Sequence, residues 1–279
     1  MLIERTLFGT VDKVADSIKL LRDNEPPEGY YVCFSGGKDS TCILELVKRA
    51  GVKFDAHYQF THIEPPEAQD FIRRCHPEVI WDIPPTSMEE LIVKNKIPPM
   101  RFAQYCCRCL KRCFGRGRVK VTGIRAGESH GRSKRPPVDK LKDGTIHVNP
   151  ILNWSTADVW QFIHENNLPY CSLYDEGFAR VGCVLCPNQT KAQTERDLKR
   201  FPTVVEYYRR ACRKSFEVNQ DKFTGQRKSR HWKSGDDLFN WWVHERHSSK
   251  ARDSGCGSLF DRRNSREQSH HDGQLDPRR

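Results

Sequence analysis

The chain has 279 residues, room for one large domain or a domain with an appendage, and enough to bury a proper core. Its composition excludes two classes: no stretch approaches the length of a membrane span, and twelve cysteines with no secretion signal argue for metal or redox use over a disulfide framework. The formal charge of +11 is unevenly placed, so its location says more than its size.

In chain order, Val11, Val14, Ala15, Ile18 and Leu21 recur at helical spacing with charges between them. That predicts an amphipathic helix, not a signal peptide, and a soluble cytoplasmic protein. Tyr30 to Ser40, YYVCFSGGKDS, then reads as strand, glycine turn and helix, an order that presents backbone N–H groups and a helix N-terminus to a phosphate. It is not a Walker A loop, because GxxxxGK[ST] is absent. Gly36 and Gly37 allow a close backbone approach, Ser35 and Ser40 offer hydroxyls, and Lys38 offers a point charge. Ser40 also stands where a helix N-cap would be. Asp39 fits a polyanion site if it holds Mg²⁺ or caps the turn, and both alternatives stay open.

Val52 to Phe60 reads as a second strand, and Pro65 and Pro66 introduce a short amphipathic helix with Glu67 in its first turn. Val79 to Ile83 is a third strand, and Ser87 to Asn95 a helix with Met88, Leu91 and Ile92 on one face. Val119 to Ile124 is β-branched and strand-like, and His147 to Leu152 is another short strand or its approach. Ser155 reads as the N-cap of TADVWQFIHENN. From Thr194 to about His247 the pattern is helical and aromatic, and the aromatics recur at helical spacing, as packing residues do. The segment from about Ser248 has almost no apolar residues and reads as disordered.

The fold expected is therefore α/β: Rossmann-like and doubly wound, with a mainly parallel sheet, helices on both faces and a C-terminal helical extension. Domain boundaries are expected at 1–190, 191–247 and 248–279. Ligands in such sheets bind beyond the carboxyl ends of the strands, where SGGKDS lies.

Between Arg101 and Arg135 there are eleven Lys or Arg against one acid, Glu128, a local net charge of +10. Such a cluster suits a nucleotide's phosphates or the backbone of a nucleic acid. The cysteines fall in two groups, Cys106, Cys107, Cys109 and Cys113 in YCCRCLKRC, and Cys183 with Cys186 in VGCVLCPN. Two-residue spacing lets both sulfurs of a CxxC reach one metal, and four ligands from these six suffice for one site. Cys33, Cys42, Cys75, Cys171 and Cys212 fall within predicted elements and read as structural.

With these motifs in place, the chain resembles the phosphoadenosine phosphosulfate (PAPS) reductase family of the ATP pyrophosphatase superfamily. SGGKDS resembles its phosphate loop, CCRCLK its paired cysteines, GIRAGESHGR its arginine segment, and NPILNWSTADVWQFIHENNLPYCSLYDEGFARVGCVLCP a longer and highly specific stretch. The match covers roughly residues 28 to 190, and the helical end with FNWWV is similar to phage and mobile-element members.

The resemblance implies an enzyme in which Ser35, Gly36, Gly37, Lys38, Asp39 and Ser40 bind the phosphate side of an adenine nucleotide: PAPS, adenosine phosphosulfate (APS) or ATP. Arg125 and Arg132 would contact phosphate or sulfate oxygens, as guanidinium forks do well, with Glu128 and Ser129 ordering the loop. Lys38, Asp39, Arg125 and Cys256 are the catalytic candidates. Cys106, Cys107, Cys183 and Cys186 match iron-sulfur members, implying a four-iron, four-sulfur cluster with zinc as the alternative and Cys109 as an alternative ligand. Trp154 and Asp158 match family positions and read as packing and capping.

One departure bears on the reaction. Reductases of the family carry a nucleophilic cysteine in a C-terminal ECGLH motif, whereas this chain has Cys256 in SGCGSLF, with the glutamate and histidine missing. Three functions follow as expectations. The first is sulfonucleotide reduction or sulfur transfer with a thiol reductant or sulfur donor. The second is an ATP pyrophosphatase, with Mg²⁺, adenylating DNA or tRNA for sulfur insertion, the basic segment binding the nucleic acid. The third is a non-catalytic nucleotide- or nucleic-acid-binding module.

Overall fold

The computed structural model describes residues 1–6, 9–224 and 232–245. These form two compact units, one of Met1–Pro85 with Cys107–Val184, the other of Thr86–Cys106 with the described residues from Leu185 on. The expected tail 248–279, and Cys256 within it, lie outside the described residues.

The first unit opens with an antiparallel hairpin, β1 (Ile3–Thr6) and β2 (Gly9–Asp12), followed by α1 (Lys13–Asp23). The expected N-terminal helix starts later than its apolar spacing suggests. Asp12 caps it, its carboxylate accepting the N–H groups of Val14 and Ala15, both at 3.0 Å, which leaves Val11 on the hairpin. Then come β3 (Tyr30–Cys33), α2 (Lys38–Ala50), β4 (Phe54–Gln59), α3 (Pro66–Cys75) and β5 (Ile80–Asp82). Pro66 starts α3 where a missing N–H costs nothing.

The chain next enters the second unit with α4 (Met88–Asn95), whose Ser87 and Glu90 form a reciprocal capping box, and returns through α5 (Tyr105–Leu110). The first unit is completed by β6 (Lys120–Val121), α6 (His130–Ser133), β7 (Val138–Lys140), β8 (Ile146–Val148) and α7 (Thr156–Glu165). Ser155 caps α7 as expected, in a box with the buried Asp158, and Trp154 is buried beside Phe162 with ring centroids 5.2 Å apart.

The sheet has six strands in the order β5-β4-β3-β6-β8-β7, all parallel except β7, which runs antiparallel to β8. The expected fold class is therefore the observed one, a mostly parallel sheet flanked by helices. Tyr30 and Val32 on β3 are fully buried, as is Phe34 just after it, so the central strand is the heart of the core. The chain winds from β3 outward to β5 on one side and, from β6, outward on the other. The switch point lies between β3 and β6, and their register, Tyr31 opposite Lys120 and Val32 opposite Val121, ends the two strands side by side.

Two local expectations are corrected. The Val119 to Ile124 strand is only Lys120–Val121. Gly123 runs against the backbone of Asp39, where a Cβ would sit 3.2 Å from its carbonyl, and the chain then turns into a 3-10 helix at Ala126–Glu128. The N-cap of α2 is Gly37, not Ser40. Ser40 is buried inside the first turn, its hydroxyl donating to the Gly37 carbonyl at 2.7 Å.

The second unit contains α4, α8 (Lys191–Arg200), α9 (Pro202–Val218), α10 (Gln220–Thr224) and α11 (Gly235–Glu245). Its aromatics do pack: Tyr208 and Trp242 are wholly buried with ring centroids 4.9 Å apart, and the Trp242 indole donates to the Pro99 carbonyl at 2.9 Å. Ser215 and Asn219 on α9 donate to the carbonyls of Lys96 and Val93 at the end of α4, at 2.8 and 3.0 Å. No described helix is long and apolar enough to cross a membrane.

Candidate nucleotide-binding site

The loop Ser35–Ser40 leaves β3 at the switch point and becomes the first turn of α2. Gly36 adopts φ 70°, a left-handed conformation that favours glycine, and Gly37 lies so that a Cβ would meet the Tyr174 hydroxyl at 3.4 Å and Ser35 Oγ at 3.5 Å. The Thr41 N–H bonds back to the Gly37 carbonyl at 3.0 Å. The N–H groups of the turn before it have no intrahelical acceptor and carry the positive end of a 13-residue helix. Oxygen ligands at such a turn gain both hydrogen bonds and a favourable dipole.

The charged groups of the loop are arranged differently from a simple ring of donors. Lys38 is buried, and its ammonium donates to the Ala179 carbonyl at 2.9 Å and lies 3.6 Å from Asp39. Asp39 neither caps the turn nor stands alone: its carboxylate accepts the Arg125 Nε–H at 2.6 Å. Ser35 is exposed and donates to Ser40 at 3.2 Å, so the Ser40 proton is already committed to Gly37 while the Ser35 end of the chain faces out.

Arg125 comes from the neighbouring loop, carried there by β6. It is 6% exposed, and besides Asp39 its guanidinium reaches Thr156 Oγ1 at 3.1 Å. Glu128 accepts the Arg125 backbone N–H at 2.9 Å and the Arg132 guanidinium, while Ser129 Oγ accepts the Arg132 N–H at 3.3 Å. Burial pushes the Glu128 carboxyl up, but the Arg125 N–H and Arg132 outweigh it and hold it below the usual range. Glu128 and Ser129 are thus bonded into the loop that bears both arginines.

One participant was not singled out from the sequence. Tyr174, on a 3-10 turn at Ser172–Tyr174, places its hydroxyl on the loop and accepts the Lys38 N–H at 2.9 Å. Its ring meets Trp160 edge-on at 5.1 Å, and the Lys38 ammonium lies 5.2 Å from its centroid. With the Lys38 to Ala179 bond, these contacts fasten segment 174–181 across the SGGKDS loop. LYD in the sequence gave only a family match; nothing local in it marks the tyrosine as a loop partner.

The basic segment is less available than its count suggests. Lys111 lies 3.5 Å from Glu64, Arg118 clamps Asp55 at 2.6 and 3.3 Å, Lys120 is buried on the Phe114 carbonyl, and Arg135 lies 3.2 Å from Asp139. With Arg125 and Arg132 also paired, the residues of this first-unit stretch left exposed are Arg108, Arg112, Arg116 and Lys134.

The cysteine set is divided: Cys107 and Cys183 belong to the first unit, Cys106 and Cys186 to the second. Among the described residues, no three or more Cys, His, Asp or Glu side chains are gathered so as to hold a metal ion. Cys106 and Cys107 are adjacent on α5, where consecutive side chains diverge by about 100°. Cys109 offers its carbonyl to the Cys113 thiol at 3.1 Å. Cys183 instead neighbours Lys111: burial works against the lysine's charge, yet Cys183 and Glu64 hold it above the usual range. The cysteines read as structural behave so where buried, burial pushing the Cys42 and Cys212 thiols well up.

Comparison with known proteins matches these features. The sequence profile of the phosphoadenosine phosphosulfate reductase domain matches residues 29–189. An adenosine 5'-phosphosulfate reductase of Oceanobacillus iheyensis is 27% identical over 181 residues, 59% of this chain and 73% of that protein. A probable FAD synthase of Schizosaccharomyces pombe is 28% identical over 195 residues, 64% of this chain and 69% of that protein. Two further curated relatives are spanned over less than half of their own length. The crystal structure of a PAPS reductase from Candida auris, a phosphate complex, aligns with a TM-score of 0.49 at 23% identity, covering 60% of this chain and 88% of that one. The profile takes in the loop, the arginine segment and both cysteine motifs over more than half of the sequence, and the chain belongs to the phosphoadenosine phosphosulfate reductase family.

Proposed function

We propose that the chain is an enzyme that binds an adenine nucleotide by its phosphate side on SGGKDS and acts in sulfur transfer or sulfonucleotide reduction. The observation that carries this reading is the meeting of Arg125 with the first turn of α2: a buried guanidinium, a lysine and open helix N–H groups converge where the two strands part. Such a cradle favours charge accumulating on a leaving phosphate. In the reductive reaction a thiolate attacks the sulfur of the adenylated sulfate, the nucleotide leaves with its phosphate oxygen negatively charged, and a thiol reductant releases sulfite as a disulfide forms. Cys256 is the candidate thiolate.

The reading is tested by incubating the full chain with APS, PAPS or ATP. Sulfite from APS or PAPS in the presence of a thiol reductant, lost in Cys256→Ser, is the expected result. A second reading, an ATP pyrophosphatase acting on nucleic acid in the cytoplasm, is favoured by exposed Arg108, Arg112, Arg116 and Lys134. It would be marked by pyrophosphate release from ATP, with Mg²⁺, stimulated by DNA or tRNA. Binding with neither product would leave a non-catalytic module.

The cofactor belongs to the same proposal. It is a four-iron, four-sulfur cluster on Cys106, Cys107, Cys183 and Cys186, with Cys109 as an alternative ligand and zinc as the alternative metal. Anaerobic purification followed by iron, sulfide and zinc analysis tests it: iron with acid-labile sulfide is expected, and a colourless zinc-loaded protein overturns it.

A further inference from the structure

We propose that Tyr174 is a ligand-contacting residue of the phosphate cradle, its phenolic O–H donating to an anionic oxygen on the phosphate side of the nucleotide. The proposal deepens, and rests on, the assignment of SGGKDS as the phosphate loop.

A phenol has one proton to give and two lone pairs to fill. At Tyr174 the oxygen accepts the Lys38 N–H at 2.9 Å. With that lone pair engaged by a backbone donor, the O–H is left to give, and it has no acceptor among the described residues. The oxygen lies 3.4 Å from where a Gly37 Cβ would be, on the same side as Ser35 Oγ, so it faces the space that the glycine keeps clear. Burial pushes the phenol up to about 12, against the pull of the Lys38 and Val181 N–H groups, so the group stays protonated and acts as a neutral donor near neutral pH. Its orientation is fixed: the ring is held by Trp160 at 5.1 Å and the Lys38 ammonium at 5.2 Å, and the turn that carries it is closed by the Tyr174 N–H to Cys171 carbonyl bond at 3.1 Å. A preoriented donor beside an open helix N-terminus recognises an anion, and the chemistry in reach is a phosphate or sulfate ester of the nucleotide.

The test is calorimetric titration of the full chain and of Tyr174→Phe with ATP, AMP and adenosine. Hydrogen bonds to charged groups contribute enough that the variant should bind ATP and AMP about tenfold or more weakly while adenosine binding is unchanged. Unchanged ATP and AMP affinity in the variant overturns the role of Tyr174 while leaving the phosphate loop standing. Tighter binding also overturns it, because the hydroxyl would then be competing with the ligand for the Lys38 N–H. A wild-type chain that binds AMP no better than adenosine overturns the loop assignment itself, and this proposal with it. Should the phenylalanine variant fail to fold, 3-fluorotyrosine at position 174 reads the same contact. A stronger donor tightens AMP binding if the O–H donates to the ligand, and no change or a loss overturns the proposal.

Discussion

The proposed phosphate loop is six consecutive residues on one unit, with Arg125 and Tyr174 of the same unit closing on it; the four cluster candidates are shared two and two between units. Around the loop, every charged side chain has a named neighbour: Lys38 on Ala179, Asp39 on Arg125, Arg132 on Glu128. Along the cysteine segments, among the described residues, no thiol forms a group with two other metal donors. A site written on one strand, turn and helix needs only local geometry and the packing of a neighbouring loop. A site drawn from two distant segments depends on tertiary placement, which local spacing does not fix.

Four experiments break or sharpen that contrast. The largest effect is expected from Arg125→Ala, which strands the Asp39 carboxylate beside the loop. Losing one partner of a largely buried pair should cost about 3 kcal/mol in urea unfolding and at least about 100-fold in ATP affinity. Full affinity in this variant would make the pair structural only. Next, Cys183→Ser with Cys186→Ser should remove iron from the anaerobically purified chain yet leave AMP affinity within about twofold, since the variants lie outside the loop's contacts. A parallel loss of AMP binding would show the two regions acting as one site.

Gly37→Ala probes the cradle alone. Its φ of −87° suits alanine, but the new methyl meets the Tyr174 hydroxyl and Ser35 Oγ. About tenfold weaker AMP binding is expected with a melting temperature within about 2 °C of wild type, and a larger drop in melting temperature would locate the strain in the fold. The smallest effect concerns pH. The Glu128 carboxyl is held below its ordinary value of 4.5, so its contribution is complete above that value and is lost as pH falls through the lower folded-state value. Melting temperature should therefore fall from about pH 5 toward pH 3, less steeply in Glu128→Gln. Identical slopes would show that Glu128 does not anchor the arginine loop.

Much of this architecture was legible in residue order. The glycine turn, the Ser155 cap and the alternation of strands with helices are local signals, each carried by neighbours within a few positions. What escaped was what other segments impose. Ser40 loses the cap to Gly37 because the turn tightens beneath it, and the β6 strand stops early because the backbone of α2 is in its way. Five of the eleven basic residues in the run counted as +10 are taken up by Glu64, Asp55, Asp39, Glu128 and Asp139, partners scattered over the first unit. Tyr174 reaches the loop across 136 positions, a distance at which no periodicity speaks.

The contact between Gly123 and Asp39 sets a limit on how this site can diversify. With no side chain at Gly123, the gap between the arginine loop and the first turn of α2 is gauged by main chain against main chain. Rotamer changes cannot relieve that contact, so the two backbones are held at one separation there. On the proposed reading, preference among ligands that share a phosphate would be written in residues 126–135 and 174–181. Exchange of those segments between relatives would then retune the substrate with SGGKDS unchanged.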